Sequence, residues 1–371
     1  MATGPLAGVR VVEVAGIGPG PFCGMILADF GADVVRAERP GGGLTLVPWE
    51  RDLLNRGKRS VAADLKSPEG VATVLALAGQ ADILFEGFRP GVAERLGIGP
   101  AACWERNPAL VYGRITGWGQ DGPLAHTAGH DIAYIGPTGA LNTIGEAGGA
   151  PQIPVNYVGD FGGGSLYLAV GMLAALHEAR ASGHGQVVDA AIVDGAAHLT
   201  TMLHGLLATG AWRDERGANL VDGGAPFYSV YQTSDGRYMA VGALEPQFYR
   251  EFVTILGIDL DDIAQDNREQ WPELRRRIAA AFGQRTQQAW ASAFDGTDAC
   301  VAPVLSLAEA PHHPHLRARD TFIELDGVAQ PAPAPRFSRT PGSVARPPCT
   351  PGEHTEQVLA DWGVSVARSA R

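Results

Sequence analysis

The sequence predicts an α/β fold with a parallel sheet, followed by a smaller α+β domain. In the first 190 residues, β-branched apolar runs alternate with stretches of helical periodicity, the order that builds βαβ units and parallel sheets. The pattern changes near residue 223, where a hairpin signal is followed by helical stretches. A length of 371 residues is sufficient for two such domains.

The βαβ pattern begins close to the N-terminus. Residues 9–14 are mostly β-branched and predict a buried strand, and residues 22–30 have apolar side chains at helical spacing before Gly31. Residues 32–37 predict the second strand. The remaining predictions for this part are a helix at 66–78, strands at 82–85 and 109–115, a long apolar helix at 166–179 and a strand at 186–191.

A predicted β-hairpin opens the second part of the chain. Segments 226–232 and 237–242 flank the turn sequence Thr233-Ser234-Asp235-Gly236. Predicted helices follow at 246–256, 272–282 and 289–294.

The C-terminal part is rich in proline and loops until a capping box at Thr350 and Glu353 predicts a last helix at 352–362. The expected domain bounds are a first domain at 1–190, a linker at 191–222, a small domain at 223–312 and a return segment at 313–371.

Composition argues against several classes of protein. The net charge of −11 disfavours non-specific nucleic-acid binding. No apolar run reaches the roughly 20 residues of a membrane span, so no membrane partner is expected. The four cysteines form no Cys-x-x-Cys pair, so we expect no metal site of that kind. The chain ends match neither a signal peptide nor a Ser-Lys-Leu signal, which leaves a cytoplasmic location as the expectation.

The loop after the first strand resembles part of a dinucleotide fingerprint. Gly16 and Gly18 occupy the first two glycine positions, but Pro21 stands at the third. Pro19 and Pro21 also lack the amide donors that a pyrophosphate needs. The sequence therefore disfavours NAD binding and a dehydrogenase.

A basic stretch follows the second strand. A charge run is often a solvated surface, yet arginines at the carboxyl end of a parallel strand are well placed for a nucleotide phosphate. Both interpretations stay open for this set, which consists of Arg36, Arg39, Arg51, Arg56, Lys58 and Arg59.

Two segments about thirty residues apart carry the candidate chemistry. His130 is followed by Asp131, and Asp160 runs into a stretch of glycines at 162–164. Each has an ordinary structural interpretation: His130 as a structural histidine, Asp131 as its partner or a turn residue, and Asp160 as a helix cap. Together, a histidine and an aspartate on opposite sides of a carbon can remove and return a proton. The glycines allow close approach of a planar group, and their amides can stabilise an oxyanion.

Two other motifs have weaker functional interpretations. Glu245 follows a predicted strand and precedes Pro246, which is typical of a turn residue. His312, His313 and His315 could bind a metal, but they lie in a loop without partnered ligand spacing, so a surface position is favoured.

Taken together, the sequence resembles the family III CoA-transferases and, among them, the α-methylacyl-CoA racemase family. The resemblance covers nearly the whole chain. Besides the two segments above, it is carried by residues 16–23, 28–32, 222–228, 245–249 and 295–300.

The resemblance implies roles for particular residues. His130 and Asp160 would be the two catalytic bases, Glu245 would lie beside the histidine, and Arg39 would bind the adenine-nucleotide end of CoA. The CoA site would also include Ala62, Ala63, Asp64 and Leu65, with Arg95 as a further phosphate ligand. The thioester end would be lined by Gly129, Asp131, Ile132, Ala133 and Tyr134.

The resemblance also implies an architecture, a Rossmann-like large domain that is formed by both chain ends and binds CoA. It further implies an interlocked homodimer that uses no metal or redox cofactor. One position departs from the family pattern, because Ala133 stands where an asparagine is common. A side-chain hydrogen bond from that position is therefore lost, while backbone contacts can survive.

The sequence thus predicts a racemase of 2-methylacyl-CoA thioesters. The alternative within the family is a CoA transferase that uses Asp160 as a nucleophile. His130 together with Glu245 favours the racemase. A CoA-binding module without catalysis has no sequence feature in its favour.

Overall fold

A computed structural model describes residues 3–259 and 263–365 of the chain. These residues form two compact units. Among these residues, unit 1 comprises 3–138, 155–199 and 317–365, and unit 2 comprises 139–154, 200–259 and 263–316. Unit 1 therefore takes the N-terminal and C-terminal parts of the described chain, as the family resemblance implied. The domain bounds expected from the sequence stay predictions.

Unit 1 is built on a parallel sheet of six strands in the order β3-β2-β1-β4-β5-β6. The predicted parallel sheet is confirmed. The order reverses between β1 and β4, so crossovers run in opposite directions on the two sides of that point. The strands are β1 (Arg10–Val14), β2 (Asp33–Glu38), β3 (Arg59–Ala62), β4 (Ile83–Glu86), β5 (Val111–Thr116) and β6 (Val187–Ala191).

Helices cover both faces of this sheet. Successive strand residues point to opposite faces, so Val11 lies in one core with Leu27 and Met172, while Val12 lies in another with Leu77. Because both faces are buried, the strands read as continuous apolar runs. The helices are α1 (Pro19–Asp29), α2 (Pro68–Ala78), α3 (Val92–Arg95), α4 (Pro100–Trp104), α5 (Asp131–Ile135), α6 (Leu166–Ser182) and α7 (Ile192–Leu199). A π-helix, Tyr157–Ser165, runs directly into α6.

Unit 2 is a small antiparallel sheet packed on helices. The predicted hairpin is present, with Tyr231 paired to Met239 and Gly236 in the left-handed region at φ 77. Its core is rich in aromatic side chains. The strands are β7 (Tyr228–Gln232), β8 (Tyr238–Gly242) and β9 (Val301–Pro303), and the helices are α8 (Thr201–Ala208), α9 (Pro246–Leu256), α10 (Trp271–Phe282) and α11 (Gln287–Phe294). The segment predicted as a linker contains α7 and α8.

The C-terminal segment returns to the edge strand of the parallel sheet. Elements α12 (Pro314–Ala318), β10 (Phe322–Leu325), β11 (Val328–Pro331) and α13 (Thr355–Asp361) complete the chain. The Thr355 hydroxyl accepts a hydrogen bond from the Ala62 amide at 2.9 Å, and Val358 enters the core. The Glu353 carboxylate accepts the Thr350 amide at 2.8 Å, as in a capping box, although the helix begins at Thr355 rather than 352.

Four members of the basic stretch are buried in ion pairs, so the phosphate interpretation is wrong for them. Lys58 is fully buried 2.6 Å from Glu13, and Arg56 lies 2.6 Å from Asp29. Arg59 pairs with Asp33 and Asp361, and Arg36 lies near Glu13 and Glu38. Buried charges need such partners. Arg39 and Arg51 remain exposed.

One helical stretch of the described residues, Tyr157–Ser182, is long and apolar enough to cross a membrane by length and composition. The expectation that no segment reaches this length was therefore wrong. However, the stretch contains Asp160, and Leu168 and Met172 lie in the core against the sheet. Core helices of this kind meet the same criterion.

Candidate active site

A cleft of about 370 Å³ opens at the carboxyl ends of β1, β4 and β5. It is lined by the loops that follow these strands, at 17–19, 87–90 and 115–118, and by the segment 125–131. Ligands of open α/β sheets bind at the point where the strand order reverses. The cleft lies at that point, beside the β1–β4 pair.

His130 and Asp160 both line this cleft. His130 is exposed in extended backbone immediately before α5, so it stands where the first amides of that helix lack intrahelical partners. Asp160 is half-buried in the π-helix. The structure therefore brings together the two residues predicted as bases, and their catalytic roles stay predictions.

The π-helix positions Asp160. Such helices are rare and often occur at functional sites. The sequence predicted a helix from residue 166, but the helical backbone begins at Tyr157. The earlier start was missed because the low helix propensity of glycine disfavours a helix in this glycine-rich segment.

The glycines of this segment serve close packing. A Cβ on Gly163 would lie 2.6 Å from the Ala196 amide nitrogen, and one on Gly195 would lie 1.9 Å from the Gly163 carbonyl oxygen. Helix α7 thus covers Gly163 and Gly164, which are buried. The interpretation of their amides as donors to an oxyanion stays a prediction.

Asp131 holds the backbone of Asp160. Its Oδ1 accepts the Asp160 amide at 2.7 Å, the Gly159 amide also interacts with the carboxylate, and the side chain is buried. A Cβ on Gly159 would lie 2.3 Å from this oxygen, so glycine is required there. The sequence left two interpretations of Asp131 open, a partner of His130 or a solvated turn residue. The observed contact with the Asp160 amide is neither of these.

The surroundings of Asp160 raise the pKa of its carboxyl to about 6. Burial is the largest cause, and the charge of Asp131 adds to it; a hydrogen bond from Asn156 and the nearby His130 oppose the shift. Burial also raises the pKa of Asp131, while the hydrogen bonds from the amides of Asp160 and Gly159 lower it by a smaller amount. A carboxyl that titrates near 6 suits proton transfer at neutral pH in both directions.

Aromatic side chains form one wall of the cleft. Tyr134 and Trp118 meet edge to face with ring centroids 5.0 Å apart, and the Tyr134 hydroxyl donates to the Gly129 carbonyl. A Cβ on Gly117 would lie 2.0 Å from the Tyr134 ring. Sequence reasoning named Tyr134 and Gly129 but missed Trp118 and Gly117. Their position directly after a buried strand was the available signal.

Arg89 and Asn156 were also missed. Arg89 lies in the loop after β4, lines the cleft, and acts electrostatically on Tyr134. Asn156 precedes the π-helix and hydrogen-bonds Asp160. An arginine at the carboxyl end of a strand was a detectable signal, whereas the Asn156 contact depends on the unusual helix.

The residues predicted for CoA lie along the same edge of the sheet. Arg39 follows β2, is exposed, and donates to the Gly42 carbonyl. Ala62 ends β3, and Ala63, Asp64 and Leu65 follow it. Arg95 ends α3 and is exposed, as are Ile132 and Ala133 on α5. Their contacts with CoA stay predictions.

Glu245 belongs to unit 2, where it is exposed directly before α9. Its predicted place beside a histidine stays a prediction. Among the described residues, the group whose ligand atoms lie close enough to hold a metal is Cys349, Glu353 and His354, within 4.8 Å of one another. The three loop histidines do not form such a group.

The chain belongs to CoA-transferase family III, whose model matches residues 6–355. It is 47% identical over 365 residues to the α-methylacyl-CoA racemase of Mus musculus, covering 97% of this chain and 94% of that protein. It is 33% identical over 384 residues to the succinyl-CoA–D-citramalate CoA-transferase of Chloroflexus aurantiacus, covering 96% of this chain and 94% of that protein.

A solved structure has the same fold. A CAIB/BAIF family protein from Brucella suis superposes with a TM-score of 0.80 at 28% identity, covering 97% of this chain and 100% of that one. The predicted α/β class is therefore confirmed by a relative as well as by the sheet.

The charge of Asp131 can be tested by Asp131→Asn, which keeps an oxygen for the Asp160 amide. We expect the pKa of Asp160 to fall below its value of about 6, because the like charge is removed. Carboxyl-carbon NMR titration would measure the Asp160 pKa. The Asp160 signal is assigned by its loss in the Asp160→Asn variant. Asp189→Asn serves as the control. An unchanged or higher Asp160 pKa in Asp131→Asn would contradict this account.

Proposed function

We propose that the protein is a racemase that interconverts (R)- and (S)-2-methylacyl-CoA thioesters, an isomerase acting by 1,1-proton transfer. The observation that carries the proposal is that an imidazole and a carboxyl, His130 and Asp160, line one cleft. Support comes from the identity of 47% to a protein named α-methylacyl-CoA racemase.

The reaction needs a base on one face of the α-carbon and an acid on the other. One of the two residues removes the α-proton, an enolate forms, and the conjugate acid of the other returns a proton. Asp160, with its pKa raised to about 6, is a stronger base than an ordinary carboxylate and a competent acid in return.

The enolate oxygen must also be stabilised, because an α-proton is far less acidic than imidazolium. The Asp131 amide is the first of α5 and follows His130 directly, and Asp131 lines the cleft, so this amide is a candidate donor to the enolate oxygen. It is an alternative to the glycine amides that the sequence suggested.

We propose further that the reaction needs no metal or redox cofactor, since both proton transfers have a side chain to perform them. CoA enters as part of the acyl-CoA substrate. The interrupted glycine fingerprint, with Pro21 in the third position, supports the absence of a nicotinamide step. The net charge of −11 supports a small-molecule substrate over nucleic acid.

The second candidate is a CoA transferase with Asp160 as nucleophile, as the 33% identity to a CoA-transferase suggests. A transferase of this kind needs no histidine beside the nucleophile. The presence of His130 in the same cleft favours proton transfer instead.

Proton NMR in deuterium oxide tests the reaction class. Wild type should exchange the α-hydrogen of both epimers while interconverting them. His130→Ala and Asp160→Ala should each abolish racemisation, since one face loses its acid and base. The family resemblance assigns the S proton to His130 and the R proton to Asp160. His130→Ala should therefore exchange only the R epimer, slowly and with retention, and Asp160→Ala only the S epimer.

Two outcomes would contradict the racemase. One is a His130→Ala protein that racemises at a near wild-type rate. The other is wild type that transfers CoA to added free acids without α-hydrogen exchange, which would support the transferase.

Arg39→Ala tests the CoA site. If Arg39 binds a CoA phosphate equally in the ground and transition states, KM should rise much more than kcat falls. Arg106→Ala is the matched control, because Arg106 is exposed between α4 and β5 at the opposite end of the strands. An unchanged KM for the CoA thioester in Arg39→Ala would remove Arg39 from the site.

We propose that the protein is an interlocked homodimer, with Glu245 of one chain beside His130 of the other. Co-expressed His130→Ala and Glu245→Ala chains should then recover activity, because one site of the mixed dimer carries both lesions and the other carries neither. Kinetics of purified heterodimers measure this. Heterodimers no more active than the parents would indicate sites built within one chain.

A further inference from the structure

We infer that Ser165 is a positioning residue for Asp160, because its hydroxyl lies between the backbone of the base and the first residue of α1, directly after the loop at 16–18. The inference rests on the proposed function in that it assigns Asp160 a proton-transfer role. It adds a residue that touches neither substrate nor reacting atoms and acts through the loop that covers the carboxyl.

Ser165 connects two segments of the site. It is fully buried at the end of the π-helix, with its Oγ 2.7 Å from the Pro19 carbonyl oxygen and 2.9 Å from that of Asp160. A hydroxyl has one proton, so it donates to one carbonyl at a time. Whichever carbonyl it donates to, the Ser165 Oγ lies between the Asp160 backbone and Pro19.

The first turn of α1, which continues this loop, is held by a buried ion pair. Lys58, fully buried and paired with Glu13, donates to the Pro21 carbonyl at 2.9 Å. Next to the loop, Phe22 stacks on Phe161 with ring centroids 4.4 Å apart. The loop therefore has a fixed anchor, and Ser165 and the ring stack connect it to Asp160.

The loop approaches the carboxyl of Asp160 at Gly18. Gly18 has φ 72, and a Cβ there would lie 3.4 Å from Asp160 Oδ2. The loop thus shields one side of the carboxyl from water, and desolvation disfavours the charged form. Burial is the largest cause of the raised pKa of Asp160.

Other groups facing Asp160 come from α5 and from the start of the π-helix. They are Asp131, which raises its pKa, His130 and Asn156, which lower it, and Tyr134, whose own pKa Asp160 raises. A substitution at Ser165 leaves these groups in place. Its effect on Asp160 should therefore report the two contacts of the Ser165 hydroxyl, with the Pro19 carbonyl and with the Asp160 carbonyl.

Ser165→Ala should let the loop move away and admit water to Asp160. We expect the pKa of Asp160 to fall toward that of an ordinary carboxyl. The acid limb of kcat/KM should then move to lower pH. The exchange rate of the R epimer should fall several-fold, because a weaker base removes the α-proton more slowly. KM should change little, because the CoA contacts are elsewhere.

The test is carboxyl-carbon NMR titration of wild type and Ser165→Ala, with Asp160→Asn for assignment, together with pH profiles of α-deuterium exchange. Phe22→Leu weakens the second connection and should shift the Asp160 pKa in the same direction. Thr73→Val is the control, since it removes a buried hydroxyl that bonds the Glu69 carbonyl within α2.

A lower rate with an unchanged Asp160 pKa would overturn the inference and leave Ser165 a structural residue. If Ser165→Ala does not fold, an unchanged pKa in Phe22→Leu overturns it equally. If wild type exchanges no α-hydrogen, the proposed function fails. Comparing the Asp160 pKa in wild type and Ser165→Ala would still decide whether Ser165 affects the pKa of Asp160.

Discussion

The hydrogen bonds from the amides of Asp160 and Gly159 to the Asp131 carboxylate are the contacts on which the candidate site depends. They join α5, which begins directly after His130, to the π-helix that carries Asp160. A hydrogen bond to a charged group contributes about 1.5–3 kcal/mol. One carboxylate therefore fixes the spacing of the two proposed bases and raises the pKa of one of them.

Close packing of small residues makes this arrangement possible. Gly159 lies under the Asp131 carboxylate, and Gly163 meets Gly195 of α7 at distances that no Cβ permits. The glycine-rich sequence is thus explained by contacts between backbones, and the π-helix survives because tertiary packing outweighs propensity. A side chain at these positions would push α7 from the π-helix and move Asp160.

Much of the fold could be predicted from the sequence, and the exceptions have a physical cause. Strands β1, β2, β4 and β5 read as mainly apolar runs because both faces of the sheet are buried there. Strand β3 was missed because Arg59 and Ser60 are polar, and their partners Asp361 and Glu38 are distant in the sequence. The basic stretch was misread for the same reason, since Glu13 and Asp29 neutralise Lys58 and Arg56 only in the fold. His130 and Asp160 were found through motifs, whereas the roles of Asp131 and Ser165 depend on tertiary contacts.

The most direct test of the account is a crystal structure of the protein with a bound 2-methylacyl-CoA thioester. The account predicts the α-carbon in the cleft, with a ring nitrogen of His130 and a carboxyl oxygen of Asp160 on its opposite faces, each at roughly 3–3.5 Å. An α-carbon outside the cleft would contradict it. So would an Asp160 oxygen directed at the thioester carbonyl carbon, because that geometry serves nucleophilic transfer.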